Sequence, residues 1–157
     1  PCGRGRQVTA PKGPAAVVLL VRDWTAGPLV LALTRGARIH DLHLPGGKWE
    51  PCDGWIAGAR DDEGQRVPRL RATAVRELEE ETAIRLPTHA LALLCRYTAH
   101  TGRPIVAYRV TAPGVLPDRL EPTAAGWPGW VPPAALMQPW CTFRDECARV
   151  LAAAGLA

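Results

Sequence analysis

The sequence has no CxxC pair, no dense run of lysine and arginine, and no apolar stretch long enough to cross a bilayer. Each absence excludes something. Five cysteines (Cys2, Cys52, Cys95, Cys141 and Cys147) are an odd number at irregular spacing. That argues against a disulfide framework or a zinc ribbon, and for unpaired thiols in a reducing cytoplasm. The apolar run at residues 15–21 is far too short for a transmembrane helix, and no secretory signal pattern is seen. The first residue is Pro1 rather than Met, so the chain is read as trimmed at its start. A net charge of +4 favours anionic partners such as phosphates. Without a basic cluster, no stable duplex nucleic acid is expected. Repeats, low-complexity tracts and linkers are also missing, and 157 residues suit one domain spanning 1–157.

What is present is ordinary globular usage, 47% hydrophobic and 22% charged, with 16 prolines and 15 glycines that stiffen and turn the loops. Residues 1–13 carry no apolar period and read as a loose arm. Residues 15–22 and 29–35 are apolar, β-branched runs joined by a Gly/Pro-containing link, the pattern of a hairpin. A short extended piece at 42–44 runs into the break Pro45-Gly46-Gly47, and 51–67 reads as a loop. Residues 69–84 predict a helix with Pro68 suited to its first turn. Two strands, 91–99 and 105–111, follow, then an irregular Pro/Gly-rich stretch at 113–129. A short strand at Trp130-Val131, a helical turn at 133–137 and a closing helix at 143–154 complete the chain. This order predicts an α+β fold or an α/β/α sandwich.

The most informative segment is Arg76-Glu77-Leu78-Glu79-Glu80-Glu81. On a helix, Glu77 shares a face with Glu80 and Glu81, three and four residues on. Like charges at that spacing repel unless water or a cation compensates, and a hard divalent cation takes several carboxylate oxygens. Taken alone, such a face is more often merely solvated. Its company changes the reading: Leu44-Pro45-Gly46-Gly47-Lys48-Trp49-Glu50-Pro51 precedes it, with glycines that admit close backbone approach and a lysine that can meet phosphate.

Together these two segments resemble the Nudix box, in which Gly and Glu are separated by five residues and seven more lead to Arg-Glu-aliphatic-x-Glu-Glu-x-Gly-aliphatic. Looser similarity extends to Leu33-Thr34-Arg35 before the box and Trp130-Val131-Pro132 after it. The chain departs from the pattern in three places. Asp53 stands where the family has Glu. Between it and Arg76 lie 22 residues rather than seven, an insertion placed at 54–67. Ala83 replaces the final Gly. Whether Asp53, Asp62 or Glu63 supplies the first-half carboxylate is left open by the sequence.

The resemblance implies a Nudix-type α/β/α sandwich with a mixed sheet, and a pyrophosphohydrolase using Mg²⁺, with Mn²⁺ as the alternative. Water would attack phosphorus in a nucleoside triphosphate or other nucleoside diphosphate-linked compound. Metal ligation falls on Glu80 and Glu81, with Glu77 as a further ligand or as the base, and Arg76 holding it. The Gly47 carbonyl and Glu121 (Asp118 behind it) are further candidate ligands. Arg35, Lys48 and Trp127 are candidate substrate contacts; Arg38, His40, His43 and Trp130 rank below them. The inserted Trp55 and Ile56 are expected in a lid or interface. Alternative substrates are ADP-ribose, a dinucleotide or a coenzyme A-type diphosphate. A ligand-sensing or interaction module is the non-enzymatic alternative, disfavoured by the intact Glu77, Glu80 and Glu81. The expected state is a cytoplasmic monomer or homodimer.

Overall fold

The computed structural model describes residues 12–111, 114, 116, 117 and 119–157, so the expected arm lies almost wholly outside it, as do Cys2 and Asp118. The first strands are β1 (Ala15–Leu19), β2 (Val21–Arg22), β3 (Leu29–Arg35), β4 (Arg38–His43) and β5 (Gly46–Lys48). A short 3-10 turn, Pro51–Asp53, leads to β6 (Trp55–Arg60) and β7 (Arg66–Pro68), then helix α1 (Leu70–Thr82). The chain continues through β8 (Leu91–Thr98), β9 (Pro104–Val110), β10 (Pro128–Val131), a 3-10 turn at Pro133–Met137, and helix α2 (Arg144–Ala153).

One sheet has the order β5-β1-β9-β8, and it is mixed because β1 runs parallel to β9. A second sheet has the order β10-β3-β2, with β4 also on β3. Successive residues of β1 face opposite sides of the sheet, as a pleated strand requires, and both sides are buried. Ala16, Val18 and Leu20 cluster with Ala74 and Leu78 of α1, whereas Leu19 clusters with Cys147, Val150 and Leu151 of α2. The first sheet is therefore covered on both faces, which explains why β1 reads as a continuous apolar run. Leu78 is fully buried, and Leu78→Ala at such a site costs about 2–5 kcal/mol. Among the described residues no helix is long and apolar enough to cross a membrane.

Four expectations need correction. The stretches 15–22 and 29–35 are not a simple hairpin, since only Val21 and Arg22 pair with β3. The chain passes from one sheet to the other near Leu20, so β1 is free to pair with β5 and β9. The extended piece at 42–44 belongs to a longer strand, and the break at Pro45-Gly46-Gly47 contains strand β5, antiparallel to β1. The insertion at 54–67 is a β-hairpin, not a loop. Asp61 closes its turn, its Oδ1 accepting from the amides of Glu63 (3.1 Å) and Gln65 (2.7 Å). Finally, Pro68 ends β7 rather than opening the helix, and α1 stops at Thr82. The other elements lie within a residue or two of expectation, apart from β10, which begins at Pro128.

Candidate functional site

Strand β5 consists of Gly46, Gly47 and Lys48, and both glycines are demanded by what lies against them. A Cβ on Gly46 would collide with the Ala16 carbonyl of β1, and one on Gly47 would fall on the Glu77 carboxyl group. The sheet edge thus meets the acidic helix with no side chain between them. Gly46 N donates to Glu81 Oε2 at 2.9 Å, fastening α1 to the same edge.

Arg76 is the hub of the charged groups. Its Nε donates to Asp53 Oδ1 (2.7 Å) and its Nη2 to Asp53 Oδ2 (3.1 Å) and to the Lys48 carbonyl (3.0 Å). Its Nη1 lies 2.9 Å from Glu77 Oε1 and 3.2 Å from Glu80 Oε2. Asp53 also accepts from Thr73 Oγ1 (2.8 Å) and from the Glu50 amide (2.9 Å). Burial alone would raise the Asp53 pKa, but its bonds to Arg76, Glu50 and Thr73 together hold it below the usual carboxylate range. The bond to Asp53, then the charges of Glu77, Asp53 and Glu80, push the Arg76 pKa upward against the effect of burial. Of the three acids left open by the sequence, Asp53 is the one joined to Arg76; Asp62 and Glu63 sit exposed at the hairpin turn.

The helix carboxylates carry the opposite perturbation. Burial, then the charges of Glu77 and Glu80, push the Glu81 pKa up to about 7 despite the Gly46 amide. Burial also raises Glu77, with Arg76 opposing it. Three acids on one face thus have one guanidinium, already bound to Asp53, to balance them. As they stand, Glu77 turns to Arg76, Glu81 to the Gly46 amide, and Glu80 outward with its side chain 57% exposed. Accordingly, no three acidic, His or Cys groups converge as a ready ligand set among the described residues.

On the other face of β5 lies a cleft of about 350 Å³ between the first sheet and α2, a size suited to a small molecule. Its floor is one cross-strand row, Lys48–Ala15–Ile105–Tyr97, in which each residue pairs with the next. Phe143 and Val150 form an apolar wall, and His43, His100 and Glu146 supply polar groups. Burial pushes the His43 pKa down, and its Nδ1 lies 2.9 Å from the Leu44 carbonyl.

The residues expected to touch substrate fare differently. Lys48 lines this cleft. Arg35 stacks over the Phe143 ring at 5.1 Å and lies 3.9 Å from Asp41, so it backs the wall rather than lining the cleft. Trp127 is 65% exposed; its backbone pairs with Thr34, and it is not among the cleft residues. Trp130 packs against the core instead, its Nε1 donating to the Pro117 carbonyl at 3.2 Å. Glu121 lies on the loop crossing the end of α1, where Thr123 Oγ1 donates to the Glu81 carbonyl at 2.8 Å. Its side chain borders a separate groove with Ala83, Ile84 and Leu120. Tyr97, His100, Phe143 and Glu146 were not anticipated, because nothing local in the sequence links the end of β8 to the start of α2.

A family model described as the NUDIX domain matches residues 11–150. Among solved structures, the NUDIX domain of Shewanella oneidensis NrtR complexed with ADP ribose is 20% identical, with TM-score 0.59, covering 88% of this chain and 86% of that one. A Caenorhabditis elegans Ap4A hydrolase binary complex is 15% identical, with TM-score 0.54, covering 90% of this chain and 95% of that one. A MutT/nudix family protein of Enterococcus faecalis is 17% identical, with TM-score 0.56, over 76% of this chain. This chain spans only 43% of that protein's length. No curated protein matches in sequence.

Proposed function

The chain belongs to the NUDIX domain family, the hydrolases of pyrophosphate bonds, and on that premise we propose that it cleaves a nucleoside triphosphate or another nucleoside diphosphate-linked compound. The observation that carries this reading is the position of β5. Its glycine edge has the carboxylates of α1 on one side and the cleft on the other. A substrate whose organic part occupies the cleft can therefore lay its phosphates across a bare backbone edge toward Glu77 and Glu81.

The donor set suits a hard divalent cation. It consists of carboxylate oxygens one helical turn apart, destabilised by burial and by one another, beside an accessible backbone edge. Glu77, Glu80 and Glu81 would hold Mg²⁺ or Mn²⁺, with the Gly47 carbonyl and Glu121 as further ligand candidates. Such an ion would supply Lewis acidity toward the phosphate oxygens. The protein's own groups do the rest. Glu77 accepts the proton of the attacking water, and Arg76 fixes that carboxylate while Asp53 fixes Arg76. Lys48 draws the phosphate arm to the edge. Neighbours bound to ADP ribose and named for Ap4A hydrolysis support a nucleoside diphosphate group as the common element.

The test is phosphate release with and without Mg²⁺, coupled to inorganic pyrophosphatase for nucleoside triphosphates and to alkaline phosphatase for diphosphate-linked compounds. Turnover is expected only with metal, and Glu80→Gln should lower kcat by about a hundredfold or more with unchanged thermal unfolding. No turnover on any compound, together with no thermal shift on adding Mg²⁺, overturns the reading.

A further inference from the structure

The floor of the cleft has a chemical direction. Lys48 stands at one end of the row, on the β5 edge beside the acidic helix, and Tyr97 at the other, on the opposite edge strand β8. Between them lie only Ala15 and Ile105, an apolar strip. Four adjacent strands span about 14 Å at the usual spacing. That length accommodates a nucleoside with its phosphate arm directed at β5.

Beyond Tyr97 the cleft ends in a feature that phosphate binding does not explain. Glu146, in the first turn of α2, lines the cleft with its side chain only 15% exposed. His100, on the turn between β8 and β9, places Nδ1 2.8 Å from Glu146 Oε1. A carboxylate offers only lone pairs, so the proton in this bond sits on the imidazole nitrogen. The bond fixes the side chain across the cleft end, and Oε2 has no protein partner among the described residues. Arg103, also on the lining, has its Nη1 turned to the Gly13 carbonyl, and the fixed carboxylate repels any base edge that presents a lone pair. It rewards adjacent N–H donors.

We propose that Glu146, positioned by His100, is a specificity-determining residue that reads the base, selecting one with neighbouring ring N–H and exocyclic NH₂ donors. This is the guanine pattern. Adenine presents a ring lone pair where guanine presents N–H, so it meets the carboxylate unfavourably. The inference rests on the phosphohydrolase reading only for the direction of the phosphate arm. Tyr97 closes the apolar strip beneath the base, and Val150 and Phe143 flank it.

Base selection is measured without turnover, by calorimetric titration of metal-free protein with GMP and AMP, alongside Mg²⁺-dependent kcat/KM for GTP and ATP. GMP should bind about tenfold or more tighter than AMP, the scale of one bidentate contact. Glu146→Gln should lose most of that preference through GMP alone. His100→Ala, at a position 69% exposed where folding is not at risk, should raise KM for GTP several-fold with kcat unchanged. AMP bound as tightly as GMP, or Glu146→Gln weakening both alike, overturns the proposal. So does a His100→Ala protein with unaltered KM, for the positioning role. Selective GMP binding without turnover of any nucleotide overturns the hydrolase reading and leaves this one standing; turnover without base preference does the reverse.

Discussion

The two faces of β5 are built on opposite physical terms. On the α1 face, charged groups meet at short range: Asp53, Arg76, Glu77 and Glu80 form one connected network that also holds the Lys48 carbonyl. On the α2 face, the cleft is floored by Ala15 and Ile105 and walled by Phe143 and Val150, with Lys48 at one end of the row, His100 and Glu146 beyond the other, and Lys12 and Arg103 also on its lining. A two-residue glycine edge is all that separates them. The contrast shows how one strand can serve both recognition and chemistry. The organic part of a ligand gains from apolar burial on one side, while its anionic part gains from charge on the other, and backbone without side chains lets both be engaged together.

The largest expected effect comes from closing that edge. Gly47→Ala sets a methyl on the Glu77 carboxyl group, so Glu77 must leave its place beside Arg76. Activity should fall by about a hundredfold or more, because catalytic groups tolerate little misplacement. Binding of GMP in the cleft should change little, which steady-state kinetics and calorimetry together would reveal. If both collapse equally, the two faces are not separable and the comparison fails.

Next comes the network itself. Asp53 is buried and bonded to Arg76, Thr73 and the Glu50 amide. Asp53→Ala removes one partner of a largely buried ion pair and should cost about 3 kcal/mol in urea unfolding. The sign of the pH effect follows from the depressed pKa of Asp53. Its contribution is complete above the unfolded value near 3.8 and is lost as pH falls through the lower folded value. Stability of the wild type should therefore decline more steeply than that of Asp53→Asn below about pH 4. Parallel curves would show that Asp53 titrates without consequence.

The smallest effect is at the end of α1. Ala83 is the one non-glycine residue at positive φ among the described residues, with φ 60° and ψ 9°, and its amide closes the helix on the Glu79 carbonyl at 2.8 Å. An L-residue pays for that left-handed conformation and glycine does not. Ala83→Gly should raise stability by about 0.5–1 kcal/mol with no change in GMP binding. A destabilised variant would mean that the methyl packs well enough to outweigh the backbone strain.

Much of this was legible along the chain. The acidic helix was readable because its spacing is local: Arg76, Glu77, Glu80 and Glu81 share a face whatever surrounds them. Glycines 46 and 47 were visible as a place of close approach, although their strand was not, since a Gly-Gly-Lys segment has no strand propensity and pairs only because β1 lies beside it. The inserted hairpin was hidden for a related reason. Trp55, Ile56, Ala57 and Gly58 are all exposed, so burial imposes no alternation by which the strand could be recognised. What holds its base is tertiary, the Trp49 ring against Trp55 at 4.4 Å and the Arg69 amide on the Gly54 carbonyl at 3.0 Å.

By itself the sequence determined the carboxylate face, the glycine edge and the family to which both belong, because each depends on residues a few positions apart. The tertiary structure decided three further things. It joined Asp53 to Arg76 across the insertion, laid Lys48, Ala15, Ile105 and Tyr97 in one row, and brought His100 to Glu146. Apart from Tyr97 and Ile105, which face each other across one hairpin, these contacts link residues 23 to 90 positions apart. Strand register and helix packing alone set them, and local spacing carries no information about either.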